Sequence, residues 1–141
     1  MSASAYIEVL PKRQNVLAPA PVRLLTVGIG DADHSELARF LPEPESTLYR
    51  ASARREALPL IRRHWPNVVM CEQFLGDGTW RDLLDDIQAG PHSPMLIVCS
   101  LLADDRLWAE VLNIGGFDVL MKPFHAKEVN RVVHMAARQV R

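Results

Sequence analysis

Five short aliphatic runs, each followed by a segment with helical apolar spacing, constrain this chain more than any other feature. The runs are Arg23–Val27, Thr47–Ala51, Val68–Cys71, Met95–Cys99 and Phe117–Met121. The first, third and fourth are continuous rather than alternating, the mark of strands buried on both faces. Behind the first run, Asp33 and Glu36 have capping-box spacing, Leu37, Phe40 and Leu41 follow at helical intervals, and Pro42 and Pro44 stop the helix. Ser52 offers an N-cap to a second helical segment reaching Trp65, with Leu58, Ile61 and Trp65 on one face and Pro59 inside. Trp80, Leu83, Leu84 and Ile87 mark a third. Asp104–Asn113 is a fourth, stopped by Gly115-Gly116. His125–Arg138 is a fifth, with Val129, Val132, Val133 and Ala136 at i, i+3, i+4 and i+7. Parallel strands need right-handed crossovers, so this alternation predicts an α/β chain with one doubly wound, five-stranded parallel sheet.

At 141 residues the chain has the size of one domain, and 48% apolar against 23% charged residues is enough to bury a real interior. Residues 1–21, with Ala18-Pro19-Ala20-Pro21 at their end, read as an extended or mobile leader, and 22–141 as the domain. Sixteen basic and seventeen acidic side chains leave a formal charge of −1, which argues against a nucleic-acid partner. Arg54, Arg55, Arg62 and Arg63 lack interleaved aromatics and read as a solvated helix face. Cys71 and Cys99 sit in apolar runs without metal-binding spacing, as reduced, buried thiols. No apolar stretch is long enough for a membrane span and the N-terminus lacks signal-peptide order, so a cytoplasmic location is expected.

In doubly wound sheets chemistry sits beyond the carboxyl ends of the strands. Four segments occupy that edge here: Gly28–Asp33, Glu72–Gly78, Ser100–Ala103 and Lys122-Pro123. Gly28-Ile29-Gly30 is not a dinucleotide fingerprint, because the third glycine would fall at Asp33. Gly76-Asp77-Gly78 reads as a turn needing positive φ. The five histidines are too scattered for a metal cluster.

Lys122-Pro123-Phe124, preceded by Gly115-Gly116-Phe117-Asp118-Val119-Leu120, resembles the fifth-strand signature of two-component response-regulator receiver domains. Pro66–Glu72 resembles that family's third strand ending at its phosphoacceptor, Leu75–Gly78 the loop behind it, and Pro94–Ser100 its fourth strand. The resemblance covers roughly Val22 to Arg141. It implies a flavodoxin-like (βα)5 fold of strand order 2-1-3-4-5, a role in phosphorelay signal transduction, and Pro123 as a cis proline after the pocket lysine.

Receiver domains phosphorylate themselves on one aspartate, with magnesium held by acids after the first strand, a hydroxyl on the fourth strand and a lysine on the fifth. Metal and ammonium neutralise the transferring phosphoryl group, and the hydroxyl holds one of its oxygens. Carried over residue by residue, the lysine is Lys122 and the hydroxyl Ser100, with Cys99 as the alternative. The acceptor position holds Glu72, whose extra methylene moves its carboxylate outward by about 1.5 Å. A misplacement of about 1 Å can cost on the order of 100-fold in a positioned reaction. The acidic pair is replaced by Gly28-Ile29-Gly30, leaving Asp31 as the nearest carboxylate and Asp33 as a helix cap. Asp31 and Glu72 make a thin magnesium site, so weak binding or none is expected. Val119 stands at the aromatic switch position.

The resulting expectation is an atypical, stand-alone receiver, a pseudo-receiver acting through protein contacts rather than as an enzyme. Glu72 beside Lys122 either imitates a phosphorylated aspartate, which would bring about −1.5 to −2 charge, or forms an ion pair that keeps a degenerate pocket folded. The resemblance implies a histidine kinase or a separate output protein as partner, or a homodimer through the fourth helix, fifth strand and fifth helix. Trp108, Val119 and Phe124 are the interface candidates there, with core packing the alternative for Trp108. Two other readings are a phosphorylatable receiver using Glu72 with Mg2+, and a small flavodoxin-like ligand-binding protein.

Overall fold

A computed structural model describes residues 21–139 of the chain, so the predicted leader lies outside the described residues up to residue 20. The five predicted strands form one parallel sheet. They are β1 (Val22–Val27), β2 (Ser46–Ala51), β3 (Val68–Glu72), β6 (Met95–Ser100) and β7 (Asp118–Met121). Their order is β2-β1-β3-β6-β7, the predicted 2-1-3-4-5 arrangement. Two short strands, β4 (Phe74–Leu75) and β5 (Gly78–Thr79), form an antiparallel hairpin where the sequence reads as loop.

The crossovers are helices α1 (Asp31–Phe40), α2 (Arg54–His64), α3 (Trp80–Gln88), α4 (Asp105–Ile114) and α5 (Ala126–Ala137). Strand side chains alternate between faces. Leu24, Met70, Ile97, Cys99 and Leu120 point to one face, where Leu37 and Leu41 from the α1 side and Val129, Val132 and Val133 of α5 cover them. Leu25, Val27, Val69, Cys71, Leu96 and Val98 point to the other, under Ile61 of α2, Leu83 and Ile87 of α3, and Val111 of α4. The sheet is therefore buried on both sides, which is why its central strands read as unbroken aliphatic runs.

Two helix starts differ from the sequence reading. Helix α1 begins at Asp31 behind an extended Gly30, so Asp33 lies in the first turn and caps nothing. Helix α2 begins behind Ala53, and Ser52 instead bonds Glu56 Oε1 through its amide and hydroxyl, both at 2.8 Å. The first amides of α2 are served from outside: Arg54 N and Arg55 N donate to the Asp77 carboxylate at 2.9 and 3.0 Å. Those hydrogen bonds hold the Asp77 carboxyl below the usual aspartate range. Pro59 sits within α2 without ending it. In α3, Thr79 and Asp82 form a capping box.

Candidate functional site

The carboxyl ends of β3 and β7 bring Glu72 and Lys122 together. Lys122 Nζ is ion-paired to Glu72 Oε2 and donates to Asp33 Oδ2 at 3.2 Å. The Lys122 side chain is 12% exposed, and those of Glu72 and Asp33 are 20% and 33% exposed. Burial alone would lower the ammonium's pKa. The hydrogen bonds and charges of Glu72 and Asp33 outweigh it, so Lys122 stands above the ordinary lysine value. The Lys122-Pro123 peptide is cis.

Helix phase decides which first-turn acid joins this pair. Successive residues advance by about 100°, so Asp31 and Asp33 leave the helix on opposite sides. Asp31, expected in the pocket, instead pairs with Arg50 of β2 at 2.5 Å, and its side chain is 95% exposed. Asp33, read in the sequence as a cap, faces the pocket. The missed signal was the helix start: Gly30 rather than a side-chain cap begins α1.

The hydroxyl position also resolves differently. Register sets Cys99 opposite Glu72. The Cys99 thiol donates to the Cys71 carbonyl at 3.4 Å and lies 3.8 Å from Glu72 Oε2. Ser100 Oγ turns aside, donating to Gln73 Oε1 at 3.2 Å and accepting from Leu102 N at 3.0 Å. Gln73, which the sequence reading did not single out, thus engages the one buried hydroxyl on this edge of β6. Burial, followed by the Glu72 charge, pushes the Cys99 thiol well above its ordinary value, and both cysteines are free and buried.

The edge where the resemblance places acids is built for other purposes. Gly28 has φ +70°, and a Cβ there would meet Leu75 Cδ2 at 2.7 Å, so no acidic side chain fits without strain. Ile29 is 3% exposed and belongs to the core under α1 and α5. Among the described residues no group of three or more His, Cys, Asp or Glu side chains is arranged to hold a metal. Magnesium needs near-octahedral oxygen coordination, whereas the two pocket carboxylates are both spent on Lys122. The donor set does not fit that ion.

The interface candidates separate. Trp108 is 50% exposed and lines a depression together with the exposed Met121. Val119 is half-buried, lining the same depression and packing against the core. Phe124 is 5% exposed and belongs to the core, because its turn into α5 folds it under the sheet edge; it offers no surface.

Solved structures with this fold define its class. A two-component response regulator from Clostridium difficile is 24% identical, with a TM-score of 0.71 over 84% of this chain and 97% of that one. The receiver domain of Francisella response regulator 1452 is 20% identical, with a TM-score of 0.73 over 84% and 98%. The beryllofluoride-activated NtrC4 receiver domain dimer is 23% identical, with a TM-score of 0.74 over 83% and 97%. No protein-family model matches the chain, and comparison with curated proteins gives no match. The chain has the α/β receiver fold, a flavodoxin-like sheet covered on both faces.

Proposed function

We propose that this chain is an atypical receiver module of two-component signalling that works through protein contacts, the lysine of its acceptor pocket engaged from within by carboxylates rather than by a transferred phosphoryl group. The observation that carries this reading is Lys122 held between Glu72 and Asp33. The ammonium that would meet a phosphoryl group is already engaged by two carboxylates. Together they present about the charge that a phosphorylated aspartate would bring. An incoming phosphoryl dianion would meet a site that is already net negative. Both pocket carboxylates are engaged by Lys122, which supports the same reading, because carboxylates so engaged are not free to hold a cation that would offset the added charge.

Output is through surface recognition. The exposed Trp108 of α4 and Met121 of β7, with Val119 between them in one depression, give an apolar surface suited to a signalling partner or to a second copy. A histidine kinase or a separate output protein is the partner class in this reading, and the setting is cytoplasmic. No helix among the described residues is long and apolar enough to cross a membrane.

Incubation with acetyl phosphate and magnesium, read by intact mass, tests the proposal. Wild type is expected to gain no mass. A labile gain of one phosphoryl group on wild type, lost in Glu72→Ala, overturns it in favour of a working acceptor at Glu72.

A further inference from the structure

A cleft of about 300 Å3 opens between α2 and the end of α3 with the segment leading to β6, beside the amino ends of the strands and away from Lys122. Its apolar lining comes from Leu58, Ile61 and Ile87, and one wall is Trp65. The volume is that of a site for a small organic molecule.

Trp65 is the notable feature. It ends α2 in the left-handed conformation, φ 50° and ψ 56°, the one non-glycine residue with positive φ among the described residues. Glycine is the usual occupant of such a position, since a Cβ is strained there. The indole is nevertheless 52% exposed. A bulky side chain held in a costly backbone state without being buried is not explained by core packing, and such residues cluster at functional sites.

The surroundings hold it in place. Trp65 N donates to Ile61 O at 2.9 Å, and the Arg23 guanidinium donates to the carbonyls of His64 and Trp65. The His92 ring stacks on the indole at 4.4 Å and 25°, while His92 Nε2 donates to Pro66 O at 2.6 Å. A carbonyl can only accept, so this bond places a proton on Nε2. The result is a rigid aromatic wall.

Charge completes the site. Two ionic side chains line the cleft, Asp86 and Arg62. Asp86 is already paired with Arg54 Nε at 2.9 Å. The exposed Arg62 has no carboxylate within ion-pair distance among the described residues. Its planar guanidinium suits bidentate binding of a carboxylate.

We propose that this cleft binds a small planar aromatic carboxylate, its ring against the Trp65–His92 wall and its carboxylate on Arg62. The site is separate from the Lys122 pocket and does not depend on how that pocket is read.

Titration of the full 15N-labelled chain with 2-naphthoate, and in parallel with 2-naphthylmethanol, tests this. Saturable shifts are expected around Leu58–Trp65 and Ile87–His92, with the acid about tenfold tighter than the alcohol, as befits one charged hydrogen-bonding contact. Arg62→Gln is expected to remove that tenfold advantage, and Arg63→Gln to leave it. Trp65→Gly, whose glycine accepts the left-handed backbone, is expected to weaken both ligands while the chain stays folded by circular dichroism. Equal affinity for acid and alcohol, an unaffected Arg62→Gln, or shifts centred on Lys122 would overturn the proposal. So would naphthoate binding that requires deletion of residues 1–20, which would assign the cleft to the chain's own leader.

Discussion

Asp33 and Lys122, separated by 89 positions, meet at 3.2 Å and share the Lys122 ammonium with Glu72. Because two carboxylates serve one cation, loss of either leaves the other as partner, and only loss of both strands a largely buried charge. Asp33→Asn and Glu72→Gln are therefore expected to cost modestly alone. The double variant should exceed the sum of the two by about 1 kcal/mol in urea denaturation, the coupling typical of residues within one network. Strict additivity would mean that Lys122 finds other partners.

The raised pKa of Lys122 predicts how the triad responds to alkali. Below the ordinary lysine value of 10.5, the residue is charged in both folded and unfolded chains and the full stabilisation is present. Above it the unfolded chain releases its proton first, so the contribution is lost as pH rises through the higher folded value. The difference in urea midpoint between wild type and Lys122→Met should be constant near neutrality and shrink above about pH 10.5.

Neither cysteine is poised for chemistry. Burial raises both thiols, and the adjacent Glu72 charge adds to the effect. An aromatic disulfide reagent at pH 8 should therefore release almost no chromophore from the native chain and two equivalents from urea-unfolded chain, one per cysteine. Rapid reaction of one native thiol would contradict the packing of β3 against β6.

Asn67 joins the start of β1 to that of β3. Its side chain accepts from Arg23 N at 2.9 Å and donates to Pro21 O at 2.8 Å, and the residue is 8% exposed. Asn67→Ala leaves a part-buried amide and a part-buried carbonyl without their protein partner, a loss of about 1 kcal/mol. The fall should appear in the urea midpoint without a change in slope, because the same surface unfolds.

The architecture was open to reading from the chain because its signals are local. Val68–Cys71 and Met95–Cys99 are unbroken apolar runs since both sheet faces are covered, and Trp80, Leu83, Leu84 and Ile87 recur at the helical period since one face of α3 is buried. The hairpin Phe74–Leu75 with Gly78–Thr79 was missed because two-residue strands carry no period. The Ser52 cap was misplaced because the amides of α2 are served by Asp77, 23 positions downstream of Arg54, a contact with no local signature.

Element order placed Glu72 and Lys122 on the carboxyl edge of the sheet, and the resemblance to receiver domains, not that order, implied that they face each other across β6. Asp33 in the pocket, Asp31 at the surface and Cys99 opposite Glu72 were settled by helix phase and strand register. A shift of one residue in either redirects every side chain behind it, and only the packed structure fixes that rotation. The exposed Trp65 has the same origin: composition supplies an indole, and the turn that ends α2 decides that it faces outward.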